Sequence, residues 1–260
     1  MEVVYTATRN LYPYLPSAYM SLLDHNPNAR VWLLIEDDKL PYKLPSNCQV
    51  VNVSKQKFFG PDCVNIRSTF TYMALIRVAF ALLFTGKPNK FGVRALPKLD
   101  KILQLDVDTI VCENLQCLWD VDMSGKWYFA VNEFNSDYKP FGTQKRYHNA
   151  GVVLFNLEQM REDKVCEEGV EYLNKTKCLY IDQDWLNASL DKYGYDKCLN
   201  MGTRYNETLF TGQSLNPAIV HFAGEKNWYQ NFEEVYRGAY IEKYAKYFQI
   251  DACRKAGIKC

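Results

Sequence analysis

The sequence has no basic amino-terminal region followed by a long apolar stretch, so it predicts no secretory signal peptide. Its longest apolar run, from Met73 to Phe84, is too short to span a bilayer and contains Arg77. Lysine and arginine (31) nearly balance aspartate and glutamate (30), so no overall charge attracts nucleic acid or acidic membrane. Internal repeats and linkers are also absent. These absences favour one cytoplasmic globular domain over residues 1–260, with at most peripheral membrane contact and no nucleic-acid partner.

The nine cysteines include no C-x-x-C pair, which argues against zinc ribbons and thioredoxin-like redox sites. We expect them to be reduced, mostly buried thiols in a reducing compartment. In a cytoplasmic protein the glycosylation-acceptor patterns at Asn174, Asn187 and Asn206 would be chance matches. The sequence also lacks a GxxxxGK[ST] loop and has no GxGxxG after the first predicted strand, which argues against P-loop enzymes and dinucleotide oxidoreductases.

Short apolar runs alternate with segments of helical period along the chain. Strands are predicted at 3–7, 31–35, 49–53, 101–105, 127–131, 151–156 and 219–222, and helices at 17–23, 68–84, from about 158 and at 232–248. Such alternation is typical of an α/β fold with a mostly parallel, Rossmann-like central sheet flanked by helices. Ligands of such sheets bind beyond the carboxyl ends of the strands, so polar residues there are the candidates for a functional site.

The predicted helix over residues 68–84 has Ser68 as its N-cap and carries Arg77 on a mostly apolar face. A buried, unpaired guanidinium is costly, so a buried Arg77 requires an anion. The pattern leaves open whether that anion is a bound ligand or an aspartate of the protein, or whether the side chain extends to water instead.

Two carboxylates, Asp106 and Asp108, directly follow the predicted strand at 101–105. Carboxylates this close repel each other unless a cation or a shared proton compensates, and they suit hard ions such as Mg²⁺ and Mn²⁺. The alternative is an acidic turn after a strand, since a bare D-x-D pattern is common.

His221, one of three histidines, lies in the last predicted strand, and we expect it at the same sheet edge as the two aspartates. A set of two aspartates and one histidine favours manganese over calcium, because imidazole is a poor calcium ligand. Downstream, Gly224 allows close backbone approach, and Lys226 supplies positive charge for a phosphate.

Several motifs lie in order along nearly the whole chain. They are YTATRN at 5–10, LDVD at 105–108, HNAGV at 148–152 with DQDWLN at 182–187, and HFAGEKNW at 221–228. In this combination the chain resembles a family 8 glycosyltransferase of GT-A fold, the family of bacterial lipooligosaccharide galactosyltransferases and glycogenin. It departs from the family at Thr8, where an acidic residue is frequent, and at Asn227, where a proline is frequent.

The resemblance implies a role for each motif residue. Asp106, Asp108 and His221 would bind manganese, or magnesium, which bridges the phosphates of a UDP-sugar donor. The implied donor contacts are Ala7, Thr8 and Asn10 at the uridine, Val107 at the ribose, Gly224 and Lys226 at the diphosphate, and Asn149, Asp182 and Gln183 at the sugar. Arg77 would also hold the donor. The candidate catalytic residues are Asp182, Gln183 and Asp184. Helix capping is the alternative role of the two aspartates, and we expect that Asp182 is not the cap.

The implied activity is transfer of glucose or galactose from a UDP-sugar to a glycan, glycolipid or glycoprotein, with retention and hence an α-linkage. Residues 1–110 would form the nucleotide-binding half, and 111–260 the half that holds the donor sugar and the acceptor. The segments 134–147 and 204–216 are expected to contact the acceptor. A homodimer is compatible with the sequence.

Two other functions remain open at this point. A metal-dependent nucleotidyltransferase would also use paired carboxylates with magnesium. A non-catalytic UDP-sugar-binding module would keep the pocket without turnover, although the complete Asp106, Asp108 and His221 set argues against a decayed site.

Overall fold

The computed structural model describes residues 1–67, 72–88, 90–134 and 146–259. Its strands are β1 (Glu2–Ala7), β2 (Arg30–Ile35), β3 (Cys48–Asn52), β4 (Lys101–Leu105), β5 (Thr109–Val111), β6 (Tyr128–Asn132), β7 (His148–Asn156), β8 (Cys198–Asn200) and β9 (Ile219–His221). The helices are α1 (Leu15–His25), α2 (Tyr72–Arg77), α3 (Phe80–Leu83), α4 (Gln116–Trp119), α5 (Leu157–Glu162), α6 (Val165–Lys175), α7 (Asp182–Tyr193), α8 (Gly238–Glu242) and α9 (Ile250–Lys255).

Seven of these strands form one central sheet in the order β3-β2-β1-β4-β7-β6-β8. Strand β7 is antiparallel to both of its neighbours, β4 and β6, whereas the other pairs in this described sheet are parallel. The predicted α/β class with a mostly parallel sheet is therefore confirmed. Because β7 is reversed, it begins at the edge where its parallel neighbours end.

The sheet is buried on both faces. Alternate residues of a strand point to opposite faces, so Val4 and Leu34 pack into one core with α2, α3, α6 and α7. Their neighbours Val3 and Leu33 pack into the other core, with α1 and the β5–β9 pair. Continuous apolar strands such as β2 are what burial on both faces requires.

Two helix predictions need correction. The helix predicted over 68–84 is two short helices, because the chain tightens at Val78 and Ala79 into bonds to residues three positions back. Its expected N-cap, Ser68, lies outside the described residues. The segment predicted as helical over 232–248 holds only α8 and a short 3-10 turn at Ala245–Tyr247.

Two findings bear on the compartment and the membrane. The eight cysteines in the described part of the chain are free thiols, most of them buried. No helix among the described residues combines the length and the apolar character needed to cross a bilayer.

Candidate active site

Strand β4 carries the two aspartates to the edge of the sheet. Its last residue, Leu105, is fully buried, and the chain then reaches Asp106, whose N–H donates to Gly151 O at 2.8 Å. Gly151 lies near the start of β7. The reversed direction of β7 therefore brings the HNAGV motif beside Asp106 and Asp108, as a parallel strand would not.

His221 reaches the aspartates through a separate strand pair and not through the central sheet. This corrects its expected position at the edge of that sheet. Strand β9 pairs antiparallel with β5, with Thr109 opposite His221, and the Phe222 N–H donates to Asp108 O at 2.9 Å. The pairing fixes the His221 side chain next to the D-x-D turn. The imidazole is 3% exposed.

One ligand atom from each of Asp106, Asp108 and His221 lies within 4.8 Å of the others. His221 Nε2 is 3.6 Å from Asp106 Oδ2 and 3.4 Å from Asp108 Oδ1. Two carboxylates and an imidazole form a donor set that suits Mn²⁺ or Mg²⁺, and the three ligand atoms lie close enough together to share one divalent ion.

The charges of this cluster are strongly coupled. Desolvation raises the pKa of Asp106, although the neighbouring Arg77 opposes the rise. Asp108 is also desolvated, yet the adjacent imidazole brings its pKa below the usual value. Burial lowers the pKa of His221, but Asp108 and Asp106 together raise it, and the net shift is upward. A cation among these groups would relieve the repulsion between the carboxylates and displace the proton from the imidazole.

Arg77 supplies a second compensating charge. It ends α2, forms an ion pair with Asp106, and reaches Asp182 Oδ2 at 3.3 Å, while its Nε donates to Thr6 Oγ1 at 3.0 Å. Of the alternatives left open by the sequence, the structure shows pairing with protein aspartates. Arg77 also lines the cavity beside them.

The cluster opens into a cavity of about 270 Å³. Its walls are Arg77, Asp106, Asp108, Glu133, Asn149, Ala150, Gly151, Tyr180, Gln183, Phe210, His221, Ala223 and Gly224. Gln183 is held by its neighbours, since its Oε1 accepts from the Ala150 N–H at 2.9 Å and its Nε2 donates to Glu133 Oε1 at 3.2 Å. Asn149 Nδ2 donates to the same Glu133 oxygen at 2.7 Å.

Glu133 is the carboxylate that the sequence analysis missed. It directly follows β6, a strand that was predicted, so its position beyond a strand end was an available signal. It belongs to none of the motifs that carry the family resemblance. Tyr180 belongs to no motif either, whereas Phe210 lies in the segment 204–216 that is expected to contact the acceptor. Both rings add aromatic walls of the kind that suit sugar rings.

Asp184, named as a candidate catalytic residue, does not line this cavity. It is 1% exposed, and its carboxylate accepts from the Leu179 and Tyr180 N–H groups and from the Tyr147 hydroxyl. Those bonds stabilise the turn before α7, so Asp184 has a structural role there. Neither aspartate is the N-cap of α7, because that position is Ile181, which makes no side-chain capping bond. Asp182 bonds to Arg77. Ile181, between the turn and the helix, has φ 46° and ψ −100°, a costly conformation for a β-branched residue.

A second cavity of about 300 Å³ adjoins the first and shares Arg77 and both aspartates with it. Thr8, Asn10 and Val107 line this cavity, as do Thr6, Leu11, Met73, Ala74 and Trp228. The Thr8 hydroxyl donates to Asn10 Oδ1 at 2.6 Å. Ala7 is buried in β1, and the exposed Lys226 is not part of either wall. Gly224 lines the first cavity with φ +76°, which glycine adopts readily.

Known proteins of this architecture are similar along most of the chain. General stress protein A of Bacillus subtilis is 26% identical over 93% of this chain and 92% of its own length. A Haemophilus influenzae protein described as a glycosyltransferase is 25% identical over 72% of this chain, and the match spans only 58% of that protein. The structure of galactosyltransferase LgtC with donor and acceptor sugar analogs superposes with a TM-score of 0.70, at 20% identity and 96% coverage of both chains.

The glycosyltransferase GlyE of Streptococcus pneumoniae superposes with a TM-score of 0.65 over 98% of this chain and 62% of its own, at 18% identity. These likenesses identify the fold as GT-A. The sequence model of glycosyl transferase family 8 matches residues 3–231. The chain therefore belongs to glycosyl transferase family 8.

Proposed function

We propose that this glycosyltransferase moves a hexose, glucose or galactose, from a UDP-sugar to a glycan, glycolipid or glycoprotein with retention of configuration, and that it requires Mn²⁺ or Mg²⁺. The observation that carries the proposal is the convergence of Asp106, Asp108 and His221 between two adjoining cavities. One cavity is lined by Thr8, Asn10 and Val107, which are assigned to the nucleoside, and the other by Asn149 and Gln183, which are assigned to the sugar. A diphosphate that joins the two would pass the carboxylates.

Asp106, Asp108 and His221 would hold the metal. When bound, such an ion acts as a Lewis acid that stabilises a departing diphosphate. The protein supplies further positive charge at the same place through Arg77, which contacts both Asp106 and Asp182. A donor phosphate or sugar hydroxyl that reaches Arg77 would compete with these carboxylates for the guanidinium.

The sugar-side residues are suited to bind hydroxyl groups. Glu133 and backbone groups orient the amides of Gln183 and Asn149. These side chains therefore lose less conformational entropy when a sugar binds. Tyr180 and Phe210 offer apolar ring surface for the sugar CH groups. LgtC, which has the same fold, is a galactosyltransferase by its name and was solved with donor and acceptor sugar analogs.

For the chemical step we favour attack by the acceptor hydroxyl on the face from which UDP departs, with a UDP phosphate oxygen taking the proton. The transition state would have oxocarbenium character, as in glycoside hydrolysis. Gln183 is a neutral amide and a poor nucleophile, and the Asp184 carboxylate is occupied by bonds to Tyr147, Leu179 and Tyr180. Among the described residues that line the sugar-side cavity, Glu133 is the carboxylate outside the candidate metal ligands, so it is the one available to a covalent route.

The test is a screen for UDP release from UDP-glucose and UDP-galactose, with and without Mn²⁺. We expect metal-dependent release with one or both donors, and faster release with a sugar acceptor. UDP binding with no turnover of any donor would favour the non-catalytic module. Transfer of the nucleotide itself would favour a nucleotidyltransferase. The free cysteines fit the reducing compartment in which we place this activity.

A further inference from the structure

Asn206 is fully buried and lies between the metal end and the sugar end of the cavity. Its Nδ2 donates to Asn149 Oδ1 at 2.8 Å, and its Oδ1 lies 2.8 Å from His221 Nδ1. The sequence marked this residue only as a glycosylation pattern, and burial makes that modification inaccessible in the folded protein. Its side chain instead connects a metal-ligand candidate to a sugar-contact candidate.

The backbone around Asn206 is held against β9. The Glu207 N–H donates to Ile219 O at 3.0 Å, and the His221 N–H donates to Glu207 O at 2.9 Å. The Asn206 N–H itself donates to Thr203 O at 3.0 Å. Because the backbone of the adjacent Glu207 pairs with β9, the Asn206 amide lies next to the His221 ring.

A backbone group fixes the polarity of the whole chain of hydrogen bonds. The Gly151 N–H, which can only donate, lies 2.8 Å from Asn149 Oδ1, so this atom is the amide oxygen. The Asn149 amide nitrogen then faces Glu133. Because Asn149 presents an acceptor to Asn206, the Asn206 group facing it must be the NH₂. The Asn206 oxygen therefore faces His221, and the ring nitrogen opposite must carry a proton.

We propose that Asn206 is a positioning residue that holds His221 with its proton on Nδ1 and directs the Nε2 lone pair at Asp106 and Asp108. The inference rests on the proposed metal-dependent function. The opposite tautomer would place an N–H between the two carboxylates and deny the metal its nitrogen ligand. Histidine ligands of metals commonly donate their other N–H to the protein, and loss of that acceptor typically costs about 10–100-fold in metal affinity.

The variants separate the acceptor from the rest of the side chain. Asn206→Leu keeps the approximate volume and removes both hydrogen bonds. Asn206→Asp keeps an acceptor for Nδ1 but opposes a carboxylate oxygen to Asn149 Oδ1. Asn65→Leu is the matched control, because Asn65 is also fully buried and bonds to Leu173 O, Thr176 O and the Cys178 N–H, away from the cavity.

Mn²⁺ affinity is measured without donor by the electron paramagnetic resonance of the free ion. We expect Asn206→Leu to weaken binding about 10–100-fold, and Asn206→Asp to bind at least as tightly as wild type because a carboxylate is the stronger acceptor. Asn206→Asp should nevertheless raise the donor KM through the lost bond to Asn149. Asn65→Leu should leave Mn²⁺ affinity unchanged, whatever it costs in thermal stability.

The tautomer itself is measured on wild-type protein with ¹⁵N-labelled histidine, without metal and at a pH where the ring is neutral. With three histidines in the chain, His221→Gln assigns the signal. We expect the proton on Nδ1. A proton on Nε2, or wild-type Mn²⁺ affinity in Asn206→Leu, overturns the inference. Wild-type protein that binds neither Mn²⁺ nor Mg²⁺, with or without UDP, sinks the metal requirement of the proposed function. The tautomer measurement still decides the role of Asn206, even if Asn206→Leu does not fold.

Discussion

Replacing Gly151 with alanine would test how closely β7 approaches the metal-ligand histidine. A Cβ at this position would lie 2.0 Å from Cε1, 2.5 Å from Nδ1 and 2.9 Å from Nε2 of His221. Ordinary van der Waals contact begins at 3.4 Å, so the ring or the strand has to move by roughly 1.4 Å. The conflict involves the whole face of a buried ring and not the end of a flexible side chain.

The ring is the part that moves. Strand β7 is paired on both edges, with β4 and with β6, so its displacement would break two ladders. Metal–nitrogen bonds tolerate deviations of about 0.2 Å, far less than the required shift. We therefore expect Gly151→Ala to lower Mn²⁺ affinity by at least about 100-fold, equivalent to about 2.7 kcal/mol. Overpacking costs typically about 1–3 kcal/mol, which a fold of ordinary stability survives.

Calorimetric titration with Mn²⁺ measures the affinity, and thermal unfolding of the metal-free protein measures the fold. Gly202→Ala is the control, because Gly202 has ordinary backbone angles (φ −65°) and a Cβ there meets nothing within 4 Å. Gly151→Ala protein that is folded and binds Mn²⁺ like wild type would refute the reasoning. It would mean either that the ring is not held where the structure has it or that His221 is not a ligand.

Three further outcomes follow from the same geometry. Asp108→Asn should abolish transfer and metal binding while the metal-free protein keeps its melting temperature within a few degrees; unfolding at room temperature would mark Asp108 as structural. Glu133→Gln should lower kcat only about 5–10-fold, because the bonds to Gln183 and Asn149 become weaker. Complete loss of turnover, or a glycosyl adduct on Glu133 in intact-protein mass spectrometry, would make Glu133 the nucleophile. Burial lowers the pKa of His148 from 6.5 to about 4, and its Nδ1 has no partner. A depressed pKa gives stability that is present above pH 6.5 and lost as pH falls toward 4, by up to about 3 kcal/mol. Denaturant titrations should show that the free energy of unfolding falls less with pH in His148→Phe than in wild type. Equal falls in both proteins would contradict a buried neutral imidazole.

The D-x-D end of the site could be predicted because its signal is local. Strand β4 was predicted with the bounds that the structure has, Lys101–Leu105. A short apolar run that ends in two carboxylates can be recognised without knowledge of any partner strand. The mostly parallel sheet followed from the alternation of strands and helices along the chain. These features depend on residues close in sequence, where periodicity carries the information.

The partners of the aspartates could not be predicted from the residues alone. Nothing in His148–Asn156 states that β7 runs against its neighbours, yet this reversal places Asn149 and Gly151 at the functional edge. The predicted start of that strand was accordingly three residues late, at Gly151. Likewise, a three-residue strand such as β9 does not reveal that it pairs with β5 outside the main sheet.

The candidate metal site therefore depends on non-local strand pairing at two points, although two of its three candidate ligands are recognisable from local sequence. Asp106 and Asp108 are carried by one strand end, but they become a binding site only when β7 runs antiparallel and β9 pairs with β5. A register shift of one residue in the β5–β9 pair would turn His221 to the opposite face and remove the nitrogen ligand. Gly151 and Asn206 hold the ring on the correct side, one by leaving space and the other by accepting a hydrogen bond from Nδ1. Residues with no catalytic chemistry of their own thus decide whether the catalytic residues can meet.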